Sequence, residues 1–422
     1  MIDKETRPQR PTFLDFLDSI VDASARRSRR ARRRSERWWG NLWINGRLYM
    51  RLLWISLFKS KGTHGPLTGR RILFLAMFIP VWTIGQAIHW LLMFLDDLIF
   101  PEYRQQTVEK PLFIVGNFRC GSTFVQRLLA KDRTNFAVYR MWEIFLAPAI
   151  LERKFFRGLS RLDRLFGGFI GKLARKFDRS TMGNVELHPV SFFSPEEDEN
   201  VLLHTWTSSY LMFMFPYLEE IPDYFHFDEV LSDQRKHQIL FYFERMVKRH
   251  LFTHPESRHY LSKSPAFTSK IECLYQQFEG ARFLYLVRNP YETLASTTSW
   301  LSYAWHVFSP CPSKYVFTER MLPLLHHYYE DALEKLERHD PASYKIVRYE
   351  DLVADPERII RDIYGFFGYE MDSDFEKILI AESEQAKQYQ STHEYDLEEM
   401  GFDKEQVYAE FKPIFERFGY EK

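Results

Sequence analysis

Pro111 to Thr123, PLFIVGNFRCGST, narrows the folds open to this chain more than any other stretch. Four consecutive large apolar residues read as a strand buried on both faces, as strands of parallel sheets are. The loop GNFRCGST carries glycines at 116 and 121 and runs into a segment expected to be helical over Gly121 to Ala130. Strand, tight loop and helix in that order gather backbone N–H groups and the positive end of a helix dipole around one small volume, which suits an oxyanion. The spacing is that of the phosphate-cradling pattern G-x-x-x-x-G-K-[ST], with Ser122 at the lysine position. Arg119 offers a replacement charge whose planar fork matches a tetrahedral anion. A generic glycine-containing turn is the competing reading of these eight residues.

Further apolar runs with strand character occur at Arg282 to Val287 and Tyr344 to Val347, each followed by a helical pattern, as expected for a parallel sheet with crossover helices. Between the first two runs lies a helical, aromatic-rich insert, roughly Met141 to His259. With 422 residues the chain has room for one large α/β domain with extensions. We read 1–100 as a membrane-associating region and 101–422 as the catalytic domain.

The net charge of zero hides an asymmetry: residues 1–71 hold 17 Lys+Arg against 6 Asp+Glu, so the body carries the compensating negative excess. Arg26 to Arg37 contains eight arginines and runs into WWGNLW. Cations beside interfacial aromatics suit an anionic membrane surface; nucleic-acid binding and a solvated tail compete with that reading. Ile72 to Leu95 follows with 24 residues and no Asp, Glu, Lys or Arg, long enough to span a bilayer. Pro80, Gln86 and His89 within it also allow a broken helix lying in one leaflet. The partner expected is therefore a membrane surface and not nucleic acid. The three cysteines, Cys120, Cys273 and Cys311, have neither disulfide-framework nor zinc spacing, and the chain has no N-x-[ST] sequon. A reducing compartment and no metal are the expectation.

Two motifs together resemble the sulfotransferases that use 3′-phosphoadenosine-5′-phosphosulfate (PAPS). GNFRCGST is similar to their 5′-phosphosulfate loop, of general shape G-x-P-[RK]-[SC]-G-[ST]-T. In RFLYLVRNPYETLASTTSW, Arg288 ends a strand, Pro290 opens a helix and Ser296 follows eight residues after the arginine, which is the spacing of the family's 3′-phosphate site. A guanidinium and a hydroxyl are a sensible pair for a ribose 3′-phosphate. The resemblance implies a cofactor site of Arg119, Cys120, Gly121, Ser122, Thr123, Arg288 and Ser296.

Supporting matches cover about Leu112 to Tyr420. YLSKSPAF resembles the K-[ST]-P motif and implies that Lys263 approaches the bridging oxygen of the donor. RMWEIFLAP resembles the W-E segment and makes Glu143 the candidate general base, with His188 the runner-up. ELHPVSFFSPEEDENVLL resembles the H-x(n)-P-E-E-D segment; Ser194, Pro195 and Glu197 read as a capped helix start that accounts for its acidic cluster. RYEDLVADP reads as a structural strand-to-helix segment. Nothing in Tyr369 to Lys422 resembles the late R-K-G-x-x-G motif of the small cytosolic phenol and steroid enzymes, which points to the membrane-associated or bacterial-type branch.

The expectation is thus an α/β sulfotransferase fold that moves a sulfuryl group from PAPS to a hydroxyl or amine of a lipid, glycan or small acceptor, with Glu143, Lys263 and Arg119 catalytic. The active site is expected to face the cytosol from a membrane seat, with a Golgi type II orientation the alternative. A P-loop small-molecule kinase and a catalytically silent membrane adaptor are the other readings.

Overall fold

The computed structural model describes residues 39–181, 191–309, 314–387 and 396–422. The arginine run, His188 and Cys311 lie outside them. Five strands, β1 (Leu112–Gly116), β2 (Phe136–Val138), β3 (His259–Lys263), β4 (Arg282–Val287) and β5 (Tyr344–Arg348), form one parallel sheet in the order β2-β3-β1-β4-β5. Period-two alternation sends their side chains into two different cores. Phe113, Val115, Tyr260, Phe283 and Tyr285 join the layer that includes helices Asp233–Phe252, Pro290–Phe308 and Lys404–Phe418. Leu112, Ile114, Leu261, Leu284 and Leu286 join the opposite layer, under Ser122–Leu129 and Pro356–Phe367. With both faces covered, β1 and β4 carry the continuous apolar runs that made them legible.

The chain fills one side of β1 with β2 and β3, then crosses to place β4 and β5 on the other. Ligands of open parallel sheets bind at the carboxyl ends beside such a reversal. The loop after β1, the end of β3 and the turn after β4 all meet there. Two glycines make the β1 loop possible. At Gly116 (φ +136°) a Cβ would fall 2.3 Å from the Leu286 carbonyl oxygen, and at Gly121 (φ +87°) 2.7 Å from the Tyr349 ring. Only glycine fits such backbone at such proximity.

Helix Trp39–Trp54 and the 31-residue helix Gly69–Ile99 precede the sheet. Pro80 does not break the longer one as expected from the sequence: it lies inside an uninterrupted helix, because a proline removes a single N–H and the flanking turns keep theirs. This helix is long and apolar enough to cross a membrane, with 17% of its most apolar window buried. One face is nevertheless docked on the body along its length. Arg71 donates to the carbonyls of Phe308 (2.9 Å) and Met214 (2.5 Å), His89 meets Glu152 at 2.6 Å, and Asp96 accepts from the N–H groups of Ile150 (2.7 Å) and Leu151 (3.0 Å). Leu73, Met77, Val81, Ile84, Ile88, Leu91 and Leu98 leave the other face exposed.

Candidate active site

Arg119 sits at the crest of the β1 loop in left-handed backbone (φ +64°), a conformation that costs a non-glycine residue and that clusters at functional sites. The loop is held from outside itself: the Thr268 hydroxyl accepts from the Gly116 N–H (2.9 Å) and donates to the Gly116 carbonyl (2.8 Å). Helix Ser122–Leu129 starts directly after Gly121, so its first N–H groups face the volume that the loop encloses.

Arg119, Gly121, Ser122, Thr123 and Arg288 line one cleft of about 280 Å3, together with Phe118, Arg127, Glu197, Trp300 and Tyr349. The remaining predicted cofactor residues lie just behind it. Arg119 Nε donates to Ser296 Oγ at 3.1 Å, and Arg288 Nη1 donates to the Arg119 carbonyl at 3.0 Å, so the two motifs are joined directly. Arg288 also stacks on the Tyr349 ring (4.3 Å to the centroid) and pairs with the exposed carboxylate of Glu292, its Nε 2.9 Å from Oε2. Cys120 turns into the sheet core instead, where burial pushes its thiol up to about 11; it is a packing residue with no nucleophilic thiolate at neutral pH.

Lys263, at the end of β3, is buried beneath the cleft. Its Nζ donates to Thr123 Oγ1 (3.1 Å) and to Glu197 Oε1 (2.8 Å). Glu197 receives two further donors on its other oxygen, the hydroxyls of Tyr210 and of Ser264 (3.3 Å). Burial, and then the Glu197 and Glu199 carboxylates, hold the Tyr210 hydroxyl well above the usual phenol range, so it remains a donor. Glu197 is the single carboxylate lining a cleft whose other charged groups are three arginines. That donor set fits a polyanion.

The acidic run around Glu197 corrects the capped helix start expected at Ser194. The helix there is a 3₁₀ segment beginning at Asp198, and Pro195 pairs with Arg140 in an isolated bridge. Tertiary partners override the local capping pattern. Asp198 accepts from the hydroxyls of Tyr260 and Ser262 (3.0 Å) and from the Lys263 N–H (3.1 Å), and Glu199 meets Lys270 at 3.4 Å.

Glu143 is not in the cleft. Its carboxylate caps its own short helix by accepting from the Arg140 N–H (3.0 Å), and its other oxygen lies 3.3 Å from His254 Nε2. It is buried and does not line the cleft. Glu143, His250 and His254 bring ligand atoms within 4.8 Å of one another. Arg157 Nη2 already reaches His254 Nε2 (3.0 Å) and Arg153 Nη1 reaches His250 Nδ1 (3.3 Å), so a cation would meet two guanidinium groups. Burial holds both imidazoles below their usual range, His250 well below. The cluster is a neutral-histidine buttress.

Tyr349 was missed in the sequence as a residue of the cleft. Tyr349 follows β5 within the segment read as structural, and its position at the carboxyl end of a strand was the available signal. Phe118 stacks on Trp300 (6.1 Å) and Tyr328 (6.0 Å). Phe118 belongs to an apolar cluster that runs through Trp206 and Phe215 to Leu75 of the long helix, with Phe78 and Trp82 packed against it.

A model described as "Sulfotransferase family" matches residues 111–373. The omega-hydroxy-beta-dihydromenaquinone-9 sulfotransferase Stf3 of Mycobacterium bovis, like its Mycobacterium tuberculosis counterpart, is 26% identical over 362 residues, covering 82% of this chain and 84% of the relative. Among solved structures, sulfotransferase STF1 from Mycobacterium tuberculosis H37Rv superposes with a TM-score of 0.61 at 20% identity over 86% of this chain and 91% of that one. STF9 from Mycobacterium avium gives 0.60 at 20% identity over 78% and 82%. These two share the fold.

Proposed function

The chain belongs to the sulfotransferase family and is a sulfuryl-transferring enzyme, and from that premise we propose that the donor is PAPS and the acceptor the hydroxyl of an apolar lipid. One observation carries the donor: Arg119 and Arg288, from turns after neighbouring strands, line a single cleft, and Lys263 from a third strand reaches two of its lining residues, Thr123 and Glu197, from below. The β1 loop, Arg119, Ser122 and Thr123 suit the 5′-phosphosulfate. Arg288 and Ser296 suit the 3′-phosphate, which ATP lacks. Bound there, PAPS supplies a sulfuryl group on a phosphate leaving group. The protein's work is then positioning and charge stabilisation, as in phosphoryl transfer. Lys263, in reach of Thr123 and Glu197, neutralises charge on the departing phosphate oxygen. Glu197 takes the acceptor's proton, the role assigned from sequence to Glu143. A kinase reading loses ground because the lysine comes from β3 and not from position 122.

The lipid acceptor is supported by the aromatic floor of Phe118 and Trp300 and by its continuity with the long helix. The Mycobacterium relatives are named for an omega-hydroxylated dihydromenaquinone. We read the long helix as lying in one leaflet, with its docked face fixed to the body and the active site on the cytosolic side, so that the acceptor enters from the membrane.

Adenosine 3′,5′-bisphosphate should raise the melting temperature clearly more than ATP does, because only ligands that bind the native state stabilise it. Equal shifts would refute the donor assignment. Incubation with labelled PAPS and a total lipid extract, followed by mass analysis, tests the acceptor. Label confined to water-soluble products would refute it.

A further inference from the structure

Helices Ile150–Leu165 and Phe169–Thr181 form a hairpin that stands beside the long helix. Its tip carries large apolar residues that no core covers: Leu165, Phe166 and Phe169 are 81%, 78% and 70% exposed, with Leu162, Ile170 and Leu173 exposed around them. A lone exposed leucine needs no explanation, but a contiguous apolar tip marks an interaction surface.

The charges identify the partner. Between Lys154 and Arg179 the hairpin has eight Lys and Arg, none of them buried. Its three acids are all withdrawn: Glu152 pairs with His89, Asp163 caps the second helix by accepting from the N–H groups of Ile170 and Gly171 (both 2.8 Å), and Asp178 accepts from Ser191 Oγ and the Phe192 N–H (both 2.8 Å). The solvent-facing charge is therefore of one sign, around an apolar tip, which is the composition of elements that sit in anionic lipid interfaces. A second copy of the chain would bring two cationic rims together and is disfavoured on the same ground.

We propose that this hairpin is a second membrane-seating element, with its tip inserted among the acyl chains and its lysines and arginines on anionic headgroups, in the leaflet that receives the long helix. The inference rests on the leaflet seat proposed above and adds to it a separate contact. Two contacts on one rigid body fix the cleft's orientation to the membrane, which a single helix in the interface would not.

The test uses the full chain with an environment-sensitive dye on a Phe166→Cys variant in a Cys311→Ser background, Cys120 and Cys273 being buried. The variant is mixed with vesicles of phosphatidylcholine alone or with a third phosphatidylglycerol. Flotation together with a blue-shifted, brighter dye on the anionic vesicles is expected. Phe166→Asp with Phe169→Asp should weaken binding about tenfold or more, and Arg164→Glu with Lys172→Glu should erase the preference for anionic lipid. The melting shift with adenosine 3′,5′-bisphosphate should be unchanged in both, showing an intact fold. Flotation without any dye response overturns the hairpin contact and leaves the long-helix seat standing. Failure to float overturns both. A dye shift driven by protein concentration without vesicles would assign the tip to self-association and refute the proposal.

Discussion

The helical insert holds two carboxylates among donors, Glu143 at its start in Met141–Phe145 and Glu197 at its middle, just before Asp198–Thr205, and the two regions put the same group to different uses. Glu143 spends one oxygen on the N-cap of its own helix, three residues back at Arg140, and the other on His254, which follows the distant helix Asp233–Phe252. Glu197 is gripped by Lys263, Tyr210 and Ser264, from two other elements, and still lines the cleft. A carboxylate can act on a substrate only where its surroundings leave one side open. The distinction therefore rests on what lies across the fold, and the motif around each residue does not reveal it.

The strongest way to break this comparison is to neutralise each carboxylate in turn. Glu197→Gln should lower turnover by about two orders of magnitude or more while keeping adenosine 3′,5′-bisphosphate binding, as expected for a lost general base. Glu143→Gln should keep turnover within severalfold and cost about 1–2 kcal/mol of stability, through a weakened cap and a buried donor facing the histidines. Steady-state rates with melting curves decide it. A collapse of turnover in a well-folded Glu143→Gln protein would reverse the assignment.

Next in size is the 3′ end of the cleft. Arg288→Ala removes the guanidinium that bridges the Arg119 carbonyl and the Tyr349 ring. The preference for adenosine 3′,5′-bisphosphate over AMP in titration calorimetry should fall by about tenfold or more, the size expected for a charge-assisted hydrogen bond. An unchanged ratio would place the 3′-phosphate elsewhere.

The same contrast explains what the sequence disclosed. Strands β1, β4 and β5 are apolar runs and were read within a residue of their ends. Strand β3, HYLSK, was not read as a strand; its polar side chains give no apolar run. They are tolerated in the sheet because each meets a partner from a distant segment: His259 lies 3.2 Å from the Glu109 carbonyl, Ser262 donates to Asp198, and Lys263 donates to Glu197. Strand β2 has only three residues and no local signal to detect. Arg119 and Arg288 were legible because a fixed spacing on one strand-turn-helix unit sets their geometry. Glu197 and Tyr349 were not, since each comes to line the cleft only when separate segments pack.

A smaller effect concerns the acidic run beside Glu197. Burial pushes the Asp198 carboxyl up from the usual 3.8 to about 6, and burial also raises Glu196 and Glu199. The native state then binds more protons than the unfolded chain between those values, so stability should fall as pH rises from about 4 to 6 and level off above. Asp198→Asn removes its share of that descent. A melting profile across this window that is as steep in the variant as in the parent would show that Asp198 does not titrate there.

The smallest effect sharpens the reading of Arg288. In this structure its guanidinium already has an anionic partner, Glu292, one helical turn along. Glu292 is 55% exposed, and a solvent-exposed i,i+4 pair contributes at most about 0.5 kcal/mol. A bound 3′-phosphate with two negative charges should therefore displace or share the arginine at little cost, and the carboxylate then stands near the phosphate as a mild repulsion. Glu292→Gln relieves both terms. Affinity for adenosine 3′,5′-bisphosphate should rise about two- to threefold at low salt, and AMP, which lacks the 3′ group, should bind as before. A weaker complex in Glu292→Gln would mean that the carboxylate orients the guanidinium for binding and does not compete for it. An equal gain for AMP would detach Arg288 from the 3′ site.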